Sequence, residues 1–182
     1  MSEISQRYER LASEFGATVA AVPPARWSQP SPCEGWDARD VVKHVVGAHA
    51  MQLGFIGHEV REVPSVDDDP VAAFHAASTA VQVVLDEAQQ ARQTFDGVAG
   101  PTTFEDSIDQ FLSFDLVVHR WDLAKAAGLD TRLNPDDVAW VAAGASAMGE
   151  GLRADGVCGP ALTPPDDADA QTRMLAYLGR RA

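Results

Sequence analysis

The chain has 182 residues, 46% of them hydrophobic, and a formal net charge of −13, which predicts one compact domain with a small C-terminal appendage. Because the sequence carries no basic stripe, nucleic acid and anionic membrane surfaces are excluded as expected partners. No apolar run reaches the roughly 18 residues of a membrane span, and the polar N-terminus lacks the apolar region of a signal peptide, so we expect a cytoplasmic protein.

Apolar residues at helical spacing predict four long amphipathic helices before residue 130. These predicted helices cover 3–21, about 38–57, about 70–92 and 104–127. Asp37 is expected to cap the second helix, with Asp40 in a capping-box position, and Gly128 is expected to end the fourth. A proline-rich loop at 26–35 and a connector at 93–103, which can carry a short strand, separate the helices.

The rest of the chain predicts two shorter helices and an irregular segment. The helices cover about 135–148 and about 168–179. Asn134 and Pro135 are suited to the N-cap and the first position of the former, and glycines and prolines at 149–165 predict irregular structure or a short hairpin. Long helices with short connectors favour an all-α four-helix bundle at 1–148, with a C-terminal extension, 149–182, packed on it.

Titratable side chains lie on the inner faces of the second and fourth predicted helices. Asp115 and His119 are one turn apart on one face, and His44 lies among valines. Helix bundles build metal sites from such side chains on facing helices. Two imidazoles and one carboxylate leave coordination positions open, as in catalytic sites, and suit Zn²⁺ but also Fe²⁺ or Ni²⁺. The alternative for each residue is a structural, hydrogen-bonded role.

Two further residues near these candidates could contribute. Asp122, one turn beyond His119, is a candidate acceptor that orients a ligating imidazole, with helix capping or an arginine pair as an equal alternative. Cys33 precedes a helix N-terminus, where a thiolate is favoured, although packing is our preferred interpretation. Cys33 and Cys158 are the two cysteines, and they form neither a disulfide framework nor a CxxC metal site.

The remaining three histidines are interpreted as structural or solvent-facing. His49 follows His44 by five residues, which places it about 140° round the helix, away from the same site. His58 lies at the end of that helix, and His75 lies on the third helix beside Phe74. The sequence therefore restricts the candidate ligands to the second and fourth helices.

Two segments resemble signatures of the DinB-like proteins related to mycothiol-dependent maleylpyruvate isomerase. Residues 33–47, CEGWDARDVVKHVVG, resemble C-x-G-W-x-x-R-D-x-x-x-H-x-x-G, and residues 115–124, DLVVHRWDLA, resemble D-x-x-x-H-x-W-D-L-A. The ending at 175–180, LAYLGR, is also similar. The likeness covers nearly the whole chain and is closest to the actinobacterial metal-binding branch, most of whose members have no assigned reaction.

The resemblance implies a DinB-type four-helix bundle with a small irregular C-terminal extension. It also implies that His44, Asp115 and His119 bind a divalent metal. The isomerase itself carries glutamate at the position of Asp115 and has a larger C-terminal domain, whose arginine-bearing tail helps handle an acidic substrate. That tail has no assigned counterpart among the C-terminal arginines of this chain, which include Arg153, Arg173 and Arg180.

Together, the ligand set and the resemblance lead us to expect a metal-dependent enzyme, with zinc the first choice. In a mycothiol-dependent transferase or isomerase the metal would activate the thiol, and the partners would be a small-molecule thiol and an electrophilic substrate. Two alternatives stay open: a non-catalytic metal-binding or sensing module, which could dimerise through helix packing, and a hydrolase in which Asp122 is a weak candidate base. A bundle with a plain histidine–aspartate hydrogen-bond cluster is the remaining interpretation.

Overall fold

The structure is a computed structural model that describes residues 2–60, 63–97, 100–154 and 157–182. Its described residues are mainly α-helical, which confirms the predicted all-α bundle class. The chain divides into two compact units, Met1–Asp130 and Thr131–Ala182. None of the helices in the described part of the chain is long and apolar enough to cross a membrane.

The first unit contains the bundle. Its elements, in chain order, are α1 Glu3–Ala21, a 3₁₀ turn Pro24–Arg26, α2 Ala38–Phe55, α3 Pro70–Asp86, α4 Ala88–Ala91, β1 Thr94–Gly97, β2 Gly100–Thr103, α5 Phe104–Ser107, a π-helical segment Ile108–Ser113 and α6 Phe114–Ala127. α3 and α6 each pack against both α1 and α2. The order round the bundle is therefore α1, α3, α2, α6, and α2 is a direct neighbour of α6.

Helix ends in the bundle follow the predicted capping chemistry. The Asp40 N–H donates to Asp37 Oδ1 over 2.9 Å, and the Asp37 N–H donates to Asp40 Oδ2 over 3.2 Å, so both halves of a capping box are present. α6 ends at Gly128, whose φ of 72° is the left-handed conformation that glycine adopts without a steric penalty. These caps fix where α2 and α6 begin and end.

The third predicted helix, 70–92, is present but is interrupted near its end. α3 ends at Asp86, because Glu87 is extended, with φ −93° and ψ 96°, before the short α4. Apolar periodicity continues across this break, so the pattern alone could not show it. The connector that follows forms an antiparallel hairpin of β1 and β2, in agreement with the predicted strand character; residues 98 and 99 lie outside the described part.

The fourth predicted helix, 104–127, is present but is not uniformly α-helical. The π segment Ile108–Ser113 separates α5 from α6. A π turn closes a wider ring of backbone than an α turn, so it rotates the side chains that follow relative to an uninterrupted α-helix. The direction in which α6 presents its side chains therefore depends on a feature that periodicity does not report.

The second unit contains α7 Pro135–Met148, a 3₁₀ turn Gly149–Arg153 and α8 Ala170–Tyr177. α7 packs against the other two elements and therefore belongs to the second compact unit. The sequence analysis instead predicts a boundary after residue 148. The functional division into 1–148 and 149–182 stays a prediction. Residues 157–169 form no helix or strand, in agreement with the irregular segment expected there; residues 155 and 156 lie outside the described part.

Candidate metal centre

The structure brings the three predicted ligands together where α2 meets α6. One ligand atom from each of His44, Asp115 and His119 lies within 4.8 Å of the other two. The two imidazole centroids are 4.8 Å apart, and His44 Nε2 lies 3.3 Å from Asp115 Oδ2. Residues more than seventy positions apart in the sequence thus converge on one point.

The separation of His44 from Asp115 is compatible with a single divalent ion. Zinc bonds of about 2.0–2.2 Å to nitrogen and oxygen place two ligand atoms at a tetrahedral angle about 3.4 Å apart. The 3.3 Å between His44 Nε2 and Asp115 Oδ2 matches that spacing. A direct charge-assisted hydrogen bond between the same groups would be shorter, about 2.8 Å. The His44–Asp115 contact is therefore longer than a tight ion pair, and its length is also compatible with two ligands of one ion.

Asp122 lies beside His119, where it is placed to orient the imidazole, which is one of the roles that the sequence leaves open. Its Oδ2 accepts a hydrogen bond from His119 Nδ1 over 3.0 Å, and its side chain is fully buried, with 0% exposed against 9% for His119. Because a carboxylate only accepts here, the proton is on Nδ1 and the Nε2 lone pair is left for a ligand. Asp122 thus sets both the tautomer and the ring direction of His119.

The loop before α2 adds two residues to the site. Trp36 N–H bonds to the Cys33 carbonyl over 3.1 Å, in a turn that Gly35 permits with a φ of 77°. The Trp36 ring lies 4.9 Å from that of His44 and 6.0 Å from that of His119. Cys33 Sγ donates to Asp122 Oδ2 over 3.4 Å. Packing is the preferred interpretation of Cys33 from sequence, and its place in the same signature as His44 is a signal that could have indicated this contact.

The described residues contain two groups that could hold a metal ion, and the other histidines belong to neither. These groups are His44, Asp115 and His119, and Cys33, His119 and Asp122. His49 is fully buried, and its Nδ1 bonds to the Val45 carbonyl over 2.7 Å. Burial lowers the pKa of His49 to about 4, so the ring is neutral at neutral pH. His75 is exposed and His58 is half-buried. All three occupy the structural or solvent-facing positions that we predicted.

The C-terminal arginines named above donate to backbone carbonyls of their own unit. These bonds join Arg153 to Gly159 and Tyr177, Arg173 to Asp166 and Ala168, and Arg180 to Leu178. The guanidinium of Arg153 also lies 4.9 Å from the Tyr177 ring centroid. In the described structure these side chains stabilise the irregular segment and the end of the chain.

Comparison with known proteins identifies the family. The family model of the mycothiol maleylpyruvate isomerase N-terminal domain matches residues 8–124, a range that includes all three candidate ligands. Two uncharacterized proteins of Mycobacterium tuberculosis, from strains CDC 1551 / Oshkosh and ATCC 25618 / H37Rv, are each 30% identical over 181 residues, with 95% of this chain and 95% of each relative covered. No solved structure matches the chain. The chain belongs to the mycothiol maleylpyruvate isomerase N-terminal domain family, as the resemblance implied.

Proposed function

We propose that this protein is a divalent-metal-dependent enzyme that uses a low-molecular-weight thiol, mycothiol, as co-substrate. The observation that carries the proposal is the convergence of His44, Asp115 and His119 within 4.8 Å in a chain of this family. These three residues would hold the ion. Zinc suits the 3.3 Å spacing of nitrogen and oxygen, and Fe²⁺ or Ni²⁺ would accept the same donors.

A bound divalent ion would lower the pKa of a ligated thiol and so make its sulfur nucleophilic near neutral pH. The protein's own part is to hold the site open and oriented. Three protein ligands leave a coordination position for the co-substrate. Asp122 keeps the proton on His119 Nδ1, and the indole of Trp36 lies beside both imidazoles.

The reaction would be attack of the thiol sulfur on an electrophilic carbon. In a transfer, the carbon–sulfur bond forms as the bond to the leaving group breaks, and the leaving group takes the electron pair. In an isomerisation, the thiol adds to a carbon–carbon double bond, rotation follows, and elimination regenerates the thiol. Neither route needs a separate protein base to generate the nucleophile, because a bound ion would already favour the thiolate.

The position of Asp122 disfavours the hydrolase alternative. A hydrolase needs a carboxylate beside the open position, where it can take a proton from water. Asp122 is fully buried and lies at Nδ1 of His119, whereas the ligand position lies at Nε2. The weak candidate base is thus on the opposite side of the imidazole ring, which favours thiol chemistry.

Metal analysis of the purified protein tests the first step. We expect one divalent ion per chain in the natural protein and in His75→Ala, a control at an exposed histidine outside the site. His44→Ala, Asp115→Ala and His119→Ala should each lose most of the bound metal in the same assay. If these three variants keep the metal content of the control, the proposed site is wrong.

Turnover tests the second step. The metal-loaded protein should conjugate mycothiol to 1-chloro-2,4-dinitrobenzene or monobromobimane, and the chelator-treated protein and His119→Ala should not. Cleavage of an activated ester without thiol would instead support the hydrolase. Bound metal without turnover with any thiol or ester would overturn the enzyme proposal in favour of a metal-binding module.

A further inference from the structure

Cys33, Asp122 and His119 form a hydrogen-bonded chain behind the candidate metal centre. Asp122 Oδ2 accepts from Cys33 Sγ over 3.4 Å and from His119 Nδ1 over 3.0 Å, so one carboxylate oxygen receives both donors. Asp122 and His119 are buried, while Cys33 is half-buried in the loop before α2. These two hydrogen bonds therefore connect that loop to a candidate ligand on α6.

The same three residues lie within 4.8 Å of one another and could in principle be metal ligands themselves. Their distances favour hydrogen bonds instead. On a tetrahedral zinc, nitrogen and oxygen ligands are about 3.4 Å apart and sulfur and oxygen about 3.6 Å. The observed His119–Asp122 separation is 3.0 Å, the ordinary length of an N–H···O bond. The His119–Asp122 contact is thus spaced as a hydrogen bond, whereas the 3.3 Å contact between His44 and Asp115 is longer. We call Cys33, Asp122 and His119 the inner cluster, and His44, Asp115 and His119 the outer cluster.

We infer that Cys33 is a positioning residue for the metal site, acting through Asp122. Its thiol donates to the same oxygen that accepts from His119 Nδ1, and this bond would keep Nε2 directed at a bound ion. The inference rests on the proposed metal function, since it assigns a role toward that ion. Outer partners of a ligating histidine typically change metal affinity by about 10–100-fold, and Cys33 acts one bond further out.

Substitutions that keep or remove the donor test the role of the thiol. Cys33→Ala removes the S–H donor and should weaken zinc binding by about tenfold, measured by competition with a chromophoric chelator. Cys33→Ser keeps a donor and should stay within about threefold of the natural protein. Cys158→Ala, a cysteine of the second unit, is the matched control and should bind as the natural protein does. Equal losses in the alanine and serine variants would overturn the inference.

A double-mutant cycle separates positioning from packing. If Cys33 acts through Asp122, Cys33→Ala should have no further effect on zinc affinity in an Asp122→Ala background. Packing alone would give the same fold-loss in both backgrounds, together with a lower melting temperature of the metal-free protein. That additive result would overturn the inference.

Cobalt substitution distinguishes the inferred role from direct ligation. With Co²⁺ in place of zinc, the natural protein should show no thiolate-to-metal charge-transfer absorption, because Cys33 is not a ligand. Such a band, lost in Cys33→Ser and kept in His44→Ala, would overturn the inference and assign the inner cluster as the metal site. Failure of the proposed site is read separately, from unchanged metal content in Asp115→Ala.

Discussion

The two histidines of the candidate centre are held in different ways. His119, on α6, has 9% of its side chain exposed, and its Nδ1 is bonded to a fully buried carboxylate. His44, on α2, has 36% of its side chain exposed and faces Asp115, which is 31% exposed. One half of the site is thus fixed inside the bundle, and the other half faces solvent. The comparison shows that solvent reaches the candidate centre from the side of His44 and Asp115.

This difference follows from how the two helices are packed. α6 is buried on most of its surface, including Trp121 and Leu123, which are 1% and 0% exposed. α2 is buried through Val41, Val42 and Val45, but His44 lies at the edge of that face. A ligand inside the bundle cannot relax without disturbing its neighbours, whereas a ligand at the edge can move. His119 is therefore pre-organised, and His44 can adjust to a bound molecule.

Removing each histidine in turn should have the largest effect on zinc affinity. Both His119→Ala and His44→Ala should lower zinc affinity by more than about 100-fold, beyond the range of outer partners. The loss should be larger for His119→Ala, because His44→Ala leaves the oriented imidazole in place. Calorimetric titration of the metal-free proteins with zinc measures both constants. Equal losses would show that the orientation of His119 contributes nothing.

Asp122→Asn should weaken only the buried half of the site. The amide keeps an acceptor oxygen for His119 Nδ1 but removes the charge that raises the basicity of the ring, so zinc affinity should fall by about 10–100-fold. The same titration checks it. In a His119→Ala background the substitution should add little, since its target is absent. A full additional loss there would contradict the assigned role.

Acid should destabilise the bundle through His49, which the metal site does not use. Burial depresses the pKa of His49 from 6.5 to about 4, so between these values the unfolded chain binds a proton that the folded chain does not. Its contribution to stability is therefore complete above pH 6.5 and is lost as the pH falls toward 4. Between pH 7 and 5 this loss should be about 2 kcal/mol.

Chemical denaturation of the metal-free protein at the two pH values measures that loss. His49→Leu removes the titrating group, while the carboxylates common to both proteins contribute equally and cancel in the difference. The natural protein should thus lose about 2 kcal/mol more than the variant. The same pH dependence in both proteins would rule out His49 as the source.

The smallest expected effect concerns the start of α2, which carries His44. Asp37→Ala removes the capping box and should cost about 1 kcal/mol of unfolding free energy, with a measurable loss of zinc affinity. Asp69→Ala removes the cap of α3, where the Asp69 carboxylate accepts from the Ala72 N–H over 2.9 Å. It should cost about the same stability and leave zinc affinity unchanged. Equal effects on zinc would remove the link between the cap and the site.

Much of this architecture could be predicted because its signals are local. Apolar spacing located all four long helices, and Asp37 and Gly128 marked two of their ends, since capping depends on residues within one turn. The break at Glu87 and the π segment Ile108–Ser113 were not predictable in this way. Both leave the apolar pattern nearly unchanged while the backbone departs from the α-helix, so periodicity carries no trace of them.

The candidate site was likewise predictable in part. The sequence by itself determined the donor types and their places on two helices: His44, and the Asp115, His119 and Asp122 face. Only the tertiary structure decided that α2 lies beside α6, that the nitrogen-to-oxygen spacing is 3.3 Å, and that Cys33 reaches Asp122 from 89 positions away. The physical reason is that helix periodicity is set by residues three and four apart, whereas the convergence of ligands is set by which apolar faces bury one another.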